Sequence, residues 1–591
     1  MKSETVLAIF TFSPVQSFIS EARRAEDLFN GSAILSRLAY AAAQSVGAAN
    51  LIYPVAIRKD DMPNKLVARL PADEAETILT KARDALIGEW HNIAADARQS
   101  AGLDSDEDWM SIWQRQVIQN PPWQVFWACQ PETGNYTADY REVSRRLDAV
   151  KHTRLFAQSE EDGEKDSLSG QRSALRTASK SPKTYWAEMV KEKRITASQV
   201  KPEGRERLDG IGLVKRFAEL REGRQFPSTS TIAGWDFYMQ ATKNAKEELA
   251  AYRQELTNLK LYRARGFDSE FPYDLDLLFK ETLTTKRMEE SYGIKLTEKE
   301  LVPAKNRLNI LVKKVGFEPS PYYAILLLDG DGIGKKLDKM KGDSENGEAF
   351  HHRFSERLAK FAQRTAELVE PSQGGFLVYN GGDDVLLLTS LQTAIRLARE
   401  LAATYEKAFD GLIKATLSGA VLIAHHLSPL SRALTDLRRA ERYAKGVNKD
   451  ELGNKDTLCV ALAKRGGEPL LARSGWNLLE GFEEDWVAAF RDGKLANSLP
   501  YLLREDLRVA EELEDDATRA LVCYRFKRQA GEGFKQEAGS LAERWLDWTK
   551  SMEGKLSAPS KSEPKEVRRK AFEEAVNWLV IARFLGQGGK E

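Results

Sequence analysis

One stretch limits what this chain can fold into: Phe376-Leu377-Val378-Tyr379-Asn380-Gly381-Gly382-Asp383-Asp384-Val385-Leu386-Leu387-Leu388. Apolar and aromatic residues run into a turn and out again, and Asn-Gly between such runs is the strongest short-range hairpin signal. The turn is expected at Asn380, Gly381 and Gly382, with Asp383 and Asp384 at or just past the bend. A second apolar run, Tyr322 to Leu328, ends in Asp329-Gly330-Asp331. Apolar on both faces, it fits a central, fully covered strand. If the two strands are neighbours, Asp329 and the Asp383/Asp384 pair meet at one edge of one sheet. Carboxylates gathered there repel unless a cation neutralises them, and hard oxygen donors suit magnesium or manganese.

The chain has 591 residues, too many for one core and enough for about three or four domains. Thr5 to Phe12 reads as a strand, and Ser13-Pro14 opens a long helix with Phe18, Leu28, Ile34, Leu35 and Leu38 on its apolar side. Short strands at Leu51–Val55 and Leu66–Leu70, a helix over Ala72–Ala97 and a strand over Trp123–Cys129 follow. The order β-α-β-β-α-β is ferredoxin-like. Residues 136–320 are richer in charged residues and serine and weak in periodicity; helices at Leu208–Leu220 and Thr242–Leu261 make this a mostly helical insert.

The first pattern returns over 321–465. The strand Tyr322–Asp329 and helical material to Val369 precede the Gly381-Gly382 hairpin. A helix over Leu391–Ala408, a strand over Ala415–His425, a helix over Leu430–Lys445 and a strand over Thr457–Leu462 complete it. After Gly466 the sequence turns helical, with Leu541, Trp545 and Trp548, then Phe572, Val576, Leu579 and Val580, at helical spacing. The expected fold is α+β: two ferredoxin-like palms (1–135 and 321–465) packed face to face, the helical insert between them in sequence, and a C-terminal helical bundle (466–591).

Composition closes off several classes. Lys+Arg and Asp+Glu are both 88, so net charge points to no partner. Cys129, Cys459 and Cys523 are far apart and form no CxxC, which argues against a disulfide framework or a cysteine zinc site and suits a reducing cytoplasm. No run approaches the roughly 18 apolar residues of a membrane span. Gly330 to Lys335 misses the GxxxxGK[ST] spacing of a phosphate loop, and the third acid and closing Glu of a calcium loop are absent. His351-His352 and His425-His426 are adjacent pairs whose side chains point apart on a helix or strand, so packed or surface histidines are expected. Asp331 reads equally as a ligand or a solvated acid. Arg23-Arg24 and Arg438-Arg439 fit solvated faces or RNA-backbone contacts, and Trp545 and Trp548 fit a core.

These motifs resemble the large palm-domain subunit of type III-B CRISPR effector complexes, the Cmr module. The resemblance rests on Phe12-Ser13-Pro14-Val15-Gln16-Ser17-Phe18-Ile19, Ala22-Arg23-Arg24, Asp27-Leu28, Gly31-Ser32, Tyr53-Pro54 with Pro63-Asn64, and Phe226-Pro227-Ser228-Thr229. It continues through Asp329-Gly330-Asp331, Gly-Gly-Asp-Asp at 381–384, Ser418-Gly419, His425-His426, Pro429-Leu430 and Lys445, and spans about residues 5 to 465. It implies an RNA-activated, ATP-using nucleotidyltransferase that makes a signalling nucleotide in antiviral defence, either cyclic oligoadenylate or an AMP conjugate with S-adenosylmethionine as acceptor. Partners would be other Cmr-module subunits, guide RNA and target RNA, in the cytoplasm and without a membrane.

The roles fall on particular residues. Asp329, Asp383 and Asp384 are the expected catalytic acids, and with the Gly330 carbonyl they would hold two Mg2+ or Mn2+ ions, as palm-type nucleotidyl transfer requires. Gly381 and Gly382 leave room for a nucleotide against the backbone. Lys445 is expected as a phosphate contact, and Ser13, Gln16 and Ser17 would face the acceptor side. Two departures from the pattern matter. Many relatives begin with a metal-dependent HD nuclease domain, but here the first palm starts at once and none of the 6 histidines is followed by Asp, so DNA cleavage is not expected. Relatives also hold zinc with cysteines where this chain has Lys165-Asp166-Ser167-Leu168-Ser169-Gly170-Gln171-Arg172, so no zinc is expected. The alternatives are a non-catalytic scaffold of the complex and a free-standing nucleotide cyclase of GGDEF type.

Overall fold

The computed structural model describes residues 4–589 except 104–108, 154–160, 197–198, 221–225, 262–270, 334–346, 447–454, 509–512 and 558–563. The first palm is built from β1 (Thr5–Ser13), α1 (Ala25–Val46), β2 (Leu51–Tyr53), β3 (Lys65–Pro71), α2 (Ala75–Ser100) and β4 (Gln124–Pro131). Its sheet runs β2-β3-β1-β4, with every neighbour antiparallel. That is the ferredoxin-like arrangement expected from the element order. Alternation along β1 explains the layers. Val6, Ala8, Phe10 and Phe12 join a core with Leu28, Leu35 and Leu38 of α1 and Leu79, Leu86 and Trp90 of α2. Leu7 and Ile9 face the other way, with Val143 and Leu147 of α3 (Tyr136–His152). The helical covering of this sheet therefore continues past residue 135.

The long helix expected from Ser13 is two pieces, a turn at Gln16–Ser20 and then α1. Asp27 causes the break: its carboxylate accepts from the backbone N–H of Arg23 and Arg24, both at 3.0 Å, and so caps a new helix. Arg216 on α4 (Gly210–Phe217), in the insert, donates to Asp27 at 2.8 Å and pairs with Glu206 at 2.9 Å. These buried charges tie the insert to the first palm. The segment Lys165 to Arg172 closes on Asp166, whose carboxylate accepts from Leu168 N at 2.7 Å and Ser169 N at 2.6 Å. Further along the insert, α5 (Thr229–Ala233) packs against the second sheet.

The second palm comprises β5 (Tyr322–Gly330), α6 (Gly347–Leu368), β6 (Gly375–Gly381), β7 (Asp384–Ser390), α7 (Ala394–Ala408), β8 (Leu417–His425), α8 (Leu430–Lys445) and β9 (Thr457–Ala463). Its strands β8-β5-β7-β6 repeat the first palm's order. α8 then carries the chain to β9, parallel to β8, and β10 (Leu470–Gly475) adds an antiparallel edge. The helical character expected from Gly466 thus begins only after β10. As expected, β5 is covered on both faces: Tyr322, Ala324, Leu326 and Leu328 pack with α6, α7 and the C-terminal helices, while Tyr323 and Ile325 share the first palm's core. Trp545 and Trp578 are fully buried in the helical end.

The palms do not meet through bare sheet faces. α1 of the first lies against β6 of the second, and α6 of the second lies against β2 of the first. Phe29 on α1 contacts the Phe226 ring (4.9 Å between centroids), and Phe226 contacts Phe376 on β6 (6.4 Å). On the other side Ser355 Oγ accepts from Val55 N at 3.0 Å, and Tyr53 stacks on His351.

Candidate active site

The register of the second sheet assembles the acids. Leu328 pairs with Val385 across β5 and β7, so one step further along the antiparallel ladder Asp329 stands opposite Asp384. Opposed residues point to the same face. Gly381 pairs with Asp384, which leaves Gly382 and Asp383 as the two turn residues. The bend is therefore two positions later than Asn-Gly signalled. Gly382 has φ +84°, the conformation that a two-residue turn with glycine first demands. Asn380 instead anchors the strand below, donating to the Ala362 carbonyl at 2.8 Å.

The electrostatics follow from crowding. Burial and the nearby Asp329 push Asp383 up to about 6. Burial, a hydrogen bond with Asp329 and the charge of Asp383 push Asp384 well above the usual carboxylate range. Among the described residues the cation in contact is Lys445, the last residue of α8, whose ammonium donates to Asp329 and, at 2.7 Å, to Glu441. Burial works against that ammonium, and these two contacts outweigh it to hold Lys445 above its ordinary value. Beneath the cluster is the buried Tyr405, whose hydroxyl has no hydrogen-bond partner among the described residues. Gly330 is held between them: a Cβ there would lie 2.6 Å from Tyr405 Oη and 2.8 Å from Asp383 Cβ.

Among the described residues no three His, Cys, Asp or Glu side chains form a ready metal cage. Lys445 bonds Asp329, and Asp329 and Asp384 bond each other. The donor set nevertheless fits a hard divalent cation: three crowded carboxylates whose mutual repulsion a cation would relieve, beside a glycine with no room for a side chain.

Asp331 is not part of this cluster. It is buried, and its carboxylate accepts from Thr416 Oγ1 at 2.8 Å, Ser418 Oγ at 2.9 Å and Asp456 N at 2.9 Å. It joins β5, β8 and the start of β9. Ser13 ends β1, and Gln16 and Ser17 begin the short turn after it. The Gln16 carbonyl accepts from Arg438 at 2.9 Å, so the first palm touches α8 seven residues before Lys445, ~10 Å along the helix. His425 and His426 are packed: His426 bonds Ser230 Oγ at 2.8 Å and stacks on Phe279. Sequence reading missed Glu441, which its i,i+4 spacing to Lys445 could have shown. It also missed Tyr53 and Tyr405, which reach the site only through tertiary packing.

The fold and this strand-end acid cluster define a double-palm protein, and parts of its sequence are similar to Cas10/Cmr2 proteins. Residues 322–453 match the family described as Cas10/Cmr2, second palm domain, and residues 7–95 match CRISPR-associated protein Cmr2, N-terminal. The CRISPR system Cmr subunit Cmr2 of Pyrococcus furiosus is 29% identical over 250 residues, covering 37% of this chain and 28% of that protein's length. Two solved structures share the fold. The type III-B Cmr-beta complex in its apo state aligns with TM-score 0.59 at 14% identity, over 89% of this chain and 77% of the other. The same complex bound to cognate target RNA aligns with TM-score 0.61 at 14% identity, over 89% and 79%. Among the described residues no helix is long and apolar enough to cross a membrane.

Proposed function

We propose that the chain is the nucleotidyltransferase subunit of a type III-B RNA-guided complex, converting ATP to a signalling nucleotide when guide RNA pairs with target RNA. The observation that carries this reading is Asp329 opposite Asp384 on adjacent strands, with Asp383 in the turn between β6 and β7. Asp329, Asp383, Asp384 and the Gly330 carbonyl would hold Mg2+ or Mn2+, which supplies charge neutralisation at the reacting phosphate and lowers the pKa of the attacking hydroxyl. The chain's own residues do the rest. Gly382 presents bare backbone to the nucleotide, whereas Gly381 is buried with the Tyr379 ring in the space its side chain would take; Lys445, freed from Asp329 once that acid has another partner, meets phosphate as a point charge. A 3′-hydroxyl attacks the α-phosphorus of ATP, its proton passes to solvent or a carboxylate, the new P–O bond forms and pyrophosphate leaves. Ser13, Gln16 and Ser17 line the acceptor side from the first palm.

Labelled ATP supplied to the purified complex tests this. Product formed only with target RNA, and lost in Asp383→Ala/Asp384→Ala, supports it. No product under either condition leaves a scaffold role, and product without RNA or partner subunits indicates a free-standing cyclase. Mass spectrometry with and without S-adenosylmethionine distinguishes cyclic oligoadenylate from an AMP conjugate.

A further inference from the structure

A cavity of about 690 Å3 lies between the N-terminus of α1, the insert and the start of α8. It is separate from the acid cluster. α8 starts beside it at Leu430 and ends at Lys445, a length of ~24 Å. Basic side chains reach it from four parts of the chain: Arg23 and Arg24, Lys201, Arg216, which Asp27 and Glu206 already hold, and Arg287; the acids Glu26, Glu219, Asp274 and Asp276 line it too. Arg24 is committed to Glu206 at 2.8 Å. Arg23 and Lys201 are not neutralised in this way. Arg23 is exposed, and neither it nor Lys201 has an ion-pair partner among the described residues. Arg287 pairs with Asp276 at 3.7 Å, and its Nε is buried without a hydrogen-bond partner among the described residues. Burial and the Arg23 charge hold Lys201 below the ordinary lysine value, and Arg287 and Arg24 add to this against Glu206. Asp276 is shared, since it also accepts from Tyr292 Oη at 2.5 Å, and burial and Asp274 push it up against the pull of Tyr292 and Arg287. Phe226 adds a half-buried ring to the lining.

We propose that this cavity is a second anion site, taking a phosphate-bearing ligand of nucleotide size, with its phosphates on Lys201, Arg23 and Arg287 and its ring toward Phe226. Converging guanidinium and ammonium groups make strong charge-assisted bonds to phosphate. The volume lies within the ~300–1,000 Å3 of small-molecule pockets.

The test is calorimetric titration of ATP and of inorganic pyrophosphate into the full chain carrying Asp383→Ala/Asp384→Ala, in EDTA, so that the strand-end acids cannot contribute. Binding of both is expected. It should weaken at least ten-fold when Arg23→Ala and Lys201→Ala are added and recover with Lys201→Arg, at an unchanged unfolding midpoint. Absence of binding, or binding indifferent to Arg23 and Lys201, overturns the proposal. So does binding of a short single-stranded RNA that depends on these residues while ATP and pyrophosphate do not bind, because the site would then read RNA backbone.

Discussion

The two palms share one strand order and differ at one end of it. In the second, β5 ends in Asp329-Gly330 and a tight turn brings Asp383 and Asp384 alongside. In the first, β1 ends in Ser13, and the chain between β2 and β3 is the stretch from Pro54 to Asn64. The scaffold is therefore not what makes the site. Acids at a strand end and a turn short enough to present them do so, and the first palm contributes contacts instead: Gln16 to α8 and Tyr53 beside the Gly382 turn.

The widest separation between the palms should appear in catalysis. Asp383→Ala/Asp384→Ala is expected to reduce ATP turnover by at least ~10³-fold, on the scale of losing preorganised charge stabilisation, while Ser13→Ala costs less than about ten-fold. Comparable losses in rate assays of the complex would break the comparison. Within the Asp-Gly-Asp motif the contrast is between function and structure. Asp331→Ala removes three hydrogen bonds to a buried carboxylate and should destabilise by roughly 3–5 kcal/mol. Asp329→Ala should leave denaturant stability nearly unchanged yet abolish turnover.

The seams around the second palm should be sensitive to acid. Burial holds His351, between the palms, at about 4 and His426, against the insert, at about 3. Both lie below the unfolded value, so the stability they contribute is present above about pH 6.5 and is lost as pH falls toward 4, on the order of 3 kcal/mol each. Unfolding midpoints measured from pH 7.5 to 4.5 should fall, and His351→Phe should flatten part of the slope. The smallest effect belongs to the turn: Gly382→Ala, at φ +84°, should cost about 1–2 kcal/mol.

Much of this arrangement was legible in the sequence. Two apolar runs, one ending in acids and one interrupted by them, bring Asp329 and Asp384 together once the strands are neighbours, and a run apolar on both faces such as Tyr322 to Leu328 has to sit inside the sheet with a strand on either side. The turn position was misread because Asn380-Gly381 carries the stronger local signal, while the ladder closes at Gly381 and Asp384. Leu470–Gly475 was missed as a strand because it alternates weakly and its pairing partner β9 supplies the order. The role of Asp331 depends on Thr416, Ser418 and the backbone of Asp456, positions that local pattern cannot connect to it.

Each palm borrows part of its covering from its twin, α1 on β6 and α6 on β2. Cut apart near residue 320, each half would leave the patch its twin shields open to water, so the halves should be soluble only when produced together. The pair therefore has to vary as one unit, and a loosening in the half without acids would be felt where the acids are.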